Sequence, residues 1–194
     1  SILAVWTELT TGQIVNQNAA NLSSKLKALG VTVTSHLTVP DDREIILNSL
    51  KYLEEQPNSD PDLADDLTGD LIFVTGGLGP TSDDFTRDLI AEWSGLPMKF
   101  DETSWQHIQL RLKSRGFVVR EMQKQQCYFP EKSEILFNSE GTANGFKLVV
   151  KKKTIYVLPG PPREIESIWK NHILADLTEK TKNLAFLNSL LITK

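Results

Sequence analysis

The chain has 194 residues, 40% of them apolar and 24% charged, with a net charge of −4 and an isoelectric point near 5.4. That length supports one self-sufficient core without disulfides or structural metal, and the balanced composition argues against wholesale disorder. The acidic balance excludes the clustered basic face that duplex nucleic acid demands, and no apolar run reaches the roughly eighteen residues of a membrane span.

The first apolar run, Ile2-Leu3-Ala4-Val5-Trp6, reads as a short buried strand. Leu22, Leu26 and Leu29 then recur at helical spacing up to a stop at Gly30. Val31, Val33, Ser35, Leu37 and Val39 alternate as a second strand ending at Pro40, and Asp41-Asp42 open a helix carrying Ile46, Leu50 and Leu53. Gln56 to Gly69 is acidic with two prolines, a surface insertion rather than a domain boundary, because Leu71 to Val74 resumes the strand pattern. Helices are expected over Phe85 to Trp93, ending near Gly95, and over Asp101 to Gly116, with Trp105, Ile108 and Leu112 on one face.

Shorter strands follow at Glu134 to Asn138, Phe146 to Val150 and Thr154 to Leu158, the last two as a hairpin turning through the basic run Lys151-Lys152-Lys153. Pro161 to Leu177 is a closing helix with Pro162 in its first turn. Alternating strands and helices predict a mainly parallel sheet covered on both faces, with residues 1–180 as one domain. The remaining tail, 181–194, offers one more strand at Leu184 to Thr193. The lone Cys127 fits a reducing cytoplasm and, beside Tyr128 and Phe129, is expected to be a buried, unreactive thiol. His36, His107 and His172 lack metal-ligand spacing.

The stretch Thr75-Gly76-Gly77-Leu78-Gly79-Pro80-Thr81-Ser82-Asp83-Asp84-Phe85-Thr86 stands directly after the third strand. In an open α/β sheet ligands collect at the carboxyl ends of strands. Gly76, Gly77 and Gly79 let the backbone approach a ligand closely, and the following helix N-terminus favours an anion. Ser82 or Asp83 is expected to cap that helix. Glu8 follows the first strand and Asp41-Asp42 the second, so parallel strands would carry Glu8, Asp41, Asp83 and Asp84 to one sheet edge. Carboxylates beside an anion cradle repel a phosphate unless a divalent cation lies between them. A metal-assisted phosphate site is therefore one reading, and separate helix caps the other.

These residues resemble the TGGLGPTxDDLT signature of the CinA (competence/damage-inducible) family, whose N-terminal domain has the MoaB/Mog molybdopterin-binding fold. Glu8-Leu9 with Gly12-Gln13-Ile14 and Asn18, Val39-Pro40-Asp41-Asp42, Asn138 with Gly141-Thr142-Ala143 and Gly145, and Leu158-Pro159-Gly160-Pro161-Pro162 with Glu164 extend the resemblance from Ile2 to Leu177. It implies a three-layer α/β/α sandwich with a mainly parallel, mixed sheet, a homo-oligomer (dimer or trimer), and a small-molecule nucleotide or pterin as partner. In the activity it implies, a divalent metal ion (Mg, Mn or Co) assists hydrolysis of the diphosphate of ADP-ribose. Asp41, Asp84 and Glu8 would be catalytic and Asp83, Asp84 and Asp41 would hold the metal. Thr75, Gly76, Gly77, Gly79, Pro80, Thr81, Ser82, Asn18, Gly141, Thr142 and Gly160 would bind substrate or phosphate. The alternatives are a module binding molybdopterin or its adenylylated form, and a non-catalytic oligomeric partner. The chain departs from the family at Trp6-Thr7, where Gly-Asp is usual, and at Asn16, where Asp is usual, so the first loop lacks two carboxylates. Trp6 is expected to fill core.

Overall fold

The computed structural model describes residues 1–56 and 71–181. In chain order its elements are β1 (Ile2–Val5), α1 (Thr7–Thr10), α2 (Gln17–Ala28), β2 (His36–Val39), α3 (Arg43–Glu55), β3 (Leu71–Thr75), α4 (Thr86–Ser94), β4 (Met98–Phe100), α5 (Glu102–Ser114), β5 (Tyr128–Pro130), β6 (Glu134–Leu136), β7 (Gly145–Val150), β8 (Lys153–Leu158) and α6 (Pro162–Ile168). A 3-10 segment, Glu121–Cys127, leads into β5, and α6 continues through a π-helical turn, Trp169–Ile173, into helix at 174–181. Apart from Gln56, the acidic insertion expected up to Gly69 lies outside the described residues, as does the tail strand expected at Leu184 to Thr193.

Six strands form one sheet in the order β2-β1-β3-β8-β7-β6; the first four run parallel, and β7 and β6 add antiparallel. The strands β1, β3 and β8 read as continuous apolar runs because both faces are covered. Leu3, Val5, Ile72, Val74, Ile155 and Val157 pack with Ile46 and Leu50 of α3 and Leu89, Ile90 and Trp93 of α4. The alternate residues Ile2, Phe73, Tyr156 and Leu158 face Leu22 and Leu26 of α2 and Ile165, Ile168 and Trp169 beyond them. Within that second layer Phe73 stacks on Tyr156 with ring centroids 5.0 Å apart. The result is the expected α/β/α sandwich with a mixed, mainly parallel sheet.

The second strand is shorter than its alternation predicts. Pairing starts at His36 because its partner β1 starts at Ile2, while Val31 is drawn back to close α2 through its amide to the Leu26 carbonyl, 2.9 Å. Glu134 to Asn138 is likewise cut to Leu136, because Asn138 turns away to organise the loop that follows. The β7–β8 hairpin turns on Lys151 and Lys152, both at positive φ, whereas Lys153 is buried in β8 with its Nζ donating to the Gln56 carbonyl, 3.1 Å. Among the described residues no helix is long and apolar enough to cross a membrane.

Candidate functional site

Parallel pairing aligns the strand ends. Val5 sits opposite Val39, Ala4 opposite Thr75, and Thr75 opposite Leu158, so the turns after β1, β2, β3 and β8 emerge side by side. Because β7 is antiparallel and pairs Phe146 with Val157, the loop that precedes it, with Gly141 and Thr142, reaches the same edge from the opposite direction.

The glycine loop fits this edge only because it has no side chains at three points. Gly76 has φ +100°, and a Cβ there would lie 2.1 Å from the Val5 carbonyl oxygen; its amide donates to the Leu158 carbonyl, 3.0 Å, so it joins three neighbouring strands. At Gly77, φ +65°, a Cβ would strike the Thr86 hydroxyl. At Gly79 it would strike the Asp84 carboxylate, 2.4 Å from Oδ2. Among the described residues the amides of Gly77, Leu78 and Gly79 donate to no protein acceptor. The Thr86 amide, at the start of α4, donates to the Gly77 carbonyl, 3.2 Å, while the buried Thr86 hydroxyl has no partner among the described residues.

The acids divide into two groups. Asp41 Oδ2 accepts from the Thr7 amide and hydroxyl, both at 2.8 Å, and the Asp41 amide donates back to Thr7 Oγ1, 3.1 Å, so Asp41 caps the turn after β1. Asp42 caps α3 by accepting from the Ile45 amide, 3.0 Å. Asp84 Oδ2 accepts from the Thr81 amide, 3.0 Å, and the Thr81 hydroxyl, which closes the Pro80-Thr81 turn. Asp83 is fully exposed, its carboxyl held below the ordinary range chiefly by the Thr81 side chain. Neither Ser82 nor Asp83 caps α4: that position is Phe85, with no side-chain hydrogen bond. Glu8 is exposed in α1. Among the described residues no three Asp, Glu, His or Cys side chains gather as a group that could hold a metal ion. Asp41, Asp83 and Asp84, expected to hold the metal, therefore form no ready-made cluster among the described residues: one oxygen of Asp41 is given to the turn after β1 and one of Asp84 to the Pro80-Thr81 turn.

Two hydrogen-bonded links that the sequence did not foretell join the neighbouring loops. Asn18 Nδ2 donates to the Gly160 carbonyl, 2.7 Å, tying the first turn of α2 to the loop after β8. In the loop before β7, buried Asn138 accepts from the amides of Glu140 and Gly141 at 2.9 and 3.0 Å and donates to Glu164 Oε2, 2.7 Å. Burial of Glu164 raises its carboxyl above the usual value, opposed by the Asn138 hydrogen bond and the charges of Arg163 and Arg111. Gly141 leaves room for this pair, since a Cβ there would fall 2.2 Å from Glu164 Oε2 and displace it. Beside these loops lies a cleft of about 350 Å³ between the turn after β1, the start of α2 and Pro162. Trp6 lines it and is partly exposed, against the expectation that it fills core: the strand of buried residues ends at Val5, so the indole projects from the edge.

Sequence reasoning missed what holds the glycine loop. Arg87, 2% exposed, donates Nη1 to the Leu78 carbonyl, 2.8 Å, and Nη2 to that of Gly79, 3.2 Å. Burial lowers its pKa to about 10, partly offset by Asp88 and Asp84, so it stays cationic at neutral pH. Gln126 donates to the Leu78 carbonyl, 3.2 Å, and Gln125 to that of Thr81, 2.8 Å. The one available signal was an arginine one residue into an otherwise apolar helix face. Cys127 is buried, and that burial pushes its thiol up to about 12, far from a nucleophile.

A glycine loop, a helix N-terminus and several connecting loops thus meet at the carboxyl edge of an α/β/α sheet, the place where ligands collect in open α/β folds. The chain belongs to the probable molybdopterin binding domain family, whose model matches residues 1–179. It is 38% identical over 177 residues to a putative competence-damage inducible protein of Desulforamulus reducens, covering 91% of this chain and 40% of that protein. A namesake from Clostridium tetani is 36% identical over 173 residues, 89% of this chain and 39% of the relative. This chain thus spans about 40% of the length of these relatives. Among solved structures, the protein CinA of Thermoplasma acidophilum, titled as of unknown function, superposes with a TM-score of 0.75 at 29% identity, over 91% of this chain and 96% of that one. The molybdopterin biosynthesis enzyme MoaB of Thermus thermophilus shares the fold alone, with a TM-score of 0.52 at 18% identity, over 92% and 94%.

Proposed function

We propose that this domain binds a small molecule by its phosphate or diphosphate at the carboxyl edge of the sheet and, with a divalent ion, hydrolyses the diphosphate of a nucleotide such as ADP-ribose. The supporting observation is the loop after β3, where the amides of Gly77, Leu78 and Gly79 donate to no described protein acceptor beside the N-terminus of α4. No ready-made acidic cage exists among the described residues, so an ion would draw on one or two carboxylates, Asp84 and Asp41 first, and on the ligand's own phosphate oxygens, a common mode for Mg²⁺. When bound, such an ion would supply neutralisation of phosphate charge and activation of water. The protein's share is positioning: the glycine loop orients the diphosphate, Arg87 and Asp84 keep that loop shaped, and Glu8 stands exposed on the neighbouring turn to orient water or ribose.

Incubation of the purified chain with ADP-ribose and Mg²⁺, Mn²⁺ or Co²⁺ is expected to release AMP, followed by chromatography. No AMP with any of the three ions overturns the hydrolase. The family match supports a second function, binding of molybdopterin or its adenylylated form. Tight saturable binding of molybdopterin by a chain that leaves ADP-ribose intact would establish that function instead.

A further inference from the structure

We infer that the cleft beside Trp6 takes the flat nitrogen heteroaromatic ring of the ligand whose phosphate lies on the glycine loop, with Trp6 as its stacking surface. This rests on the phosphate site proposed above. The cleft, about 350 Å³, is lined by Trp6, Ile14, Val15, Asn16, Asn18 and Pro162 among others, with no charged side chain in its wall. That suits a neutral planar ring and is close to the lower size of small-molecule sites, roughly 300 Å³. Ile14 is 40% exposed and Val15 82%, apolar side chains left in solvent at the rim until something covers them.

The Trp6 ring is braced on one side. A Cβ placed on Gly160 would lie 3.3 Å from its Cζ3 and 3.6 Å from Cη2, so the indole rests close against the backbone of this glycine. Gly160 is itself pinned by Asn18, whose Nδ2 is spent on that carbonyl and whose Oδ1 remains as an acceptor for a ring amine. Asn16, by contrast, is occupied at both ends, accepting from the Ala19 amide, 3.0 Å, and donating to Thr38 Oγ1, 3.3 Å. The cleft is also next to the phosphate loop: Trp6 follows Val5, the residue against whose carbonyl Gly76 is packed. A ligand seated on the glycines therefore needs to extend past a single strand end to reach the indole.

Titration calorimetry of the whole chain with AMP, a 6-substituted pterin monophosphate and ribose 5-phosphate separates ring from phosphate and purine from pterin. A ring phosphate, either AMP or the pterin, is expected to bind roughly tenfold or more tightly than ribose 5-phosphate, and the tighter of the two names the ring. Trp6→Ala is expected to abolish that advantage and leave ribose 5-phosphate unchanged. Should Trp6→Ala fail to fold, Trp6→Phe serves: the parent chain is expected to show ligand-induced quenching of tryptophan fluorescence, and Trp6→Phe to keep binding within about threefold while losing that quenching. Equal affinity of ring and ringless phosphates, quenching that persists in Trp6→Phe, or unchanged or tighter ring binding by Trp6→Ala overturns the inference while leaving the phosphate site intact. Binding of none of the three overturns both.

Discussion

The loop after β3 and the loop after β1 leave neighbouring strands of one sheet and are built in opposite ways. The first is gripped from behind: a buried arginine and two glutamines bind its carbonyls, and its glycines are pressed against Val5, Thr86 and Asp84. The second rests on a single carboxylate, Asp41, and leaves Ile14 and Val15 in solvent. A phosphate is the same in every ligand and suits a fixed backbone cradle, whereas the remainder of the ligand varies and suits a loop free to change between relatives.

The two loops are therefore expected to answer mutation differently. Arg87→Ala should cost about 3–5 kcal/mol in urea unfolding, because it removes a buried cation and its two charged hydrogen bonds, leaving the carbonyls of Leu78 and Gly79 only their glutamine donors. A loss below 1 kcal/mol would mean the cradle is not held in this way. Asp41→Ala removes one turn cap and should cost only about 1 kcal/mol. The double variant with Thr7→Ala should be no less stable than Asp41→Ala by more than a few tenths of a kcal/mol, since the two residues serve one contact.

The smallest effect concerns pH. Burial holds the Glu164 carboxyl above the 4.5 of free glutamate, so the folded chain keeps this proton after the unfolded chain has released it. Its contribution is most favourable below pH 4.5 and declines as pH rises through the window up to the raised value. The stability of Glu164→Gln relative to the parent should therefore climb across that window and level off above it, in thermal melts between pH 4 and 7. A flat difference would place Glu164 in solvent.

The sandwich was legible because β1, β3 and β8 are apolar runs and the helices between them keep their period, as at Ile46, Leu50 and Leu53. The glycine loop was legible for a related reason: close backbone approach leaves glycine as the only residue that fits. What escaped is what depends on three-dimensional neighbours. Strands such as Met98–Phe100 are too short for a period to show, and the 3-10 segment carrying Gln125 and Gln126 has none. The gathering of acids was inferred from strand ends alone, and strand ends fix where a loop begins but not where its carboxylates turn; Asp41 turns to Thr7 on the neighbouring loop and Asp84 to its own turn at Thr81. Trp6 was placed in the core by continuity with Val5, one residue past the point where the strand stops.

The most direct test of a phosphate cradle after β3 is an amide-resolved NMR titration with inorganic pyrophosphate, with and without Mg²⁺. The amides of Gly77, Leu78 and Gly79 should shift most, saturably, with the first turn of α4 next. Shifts that leave those three amides unmoved, or scatter over the lysine-bearing surface, would contradict the site.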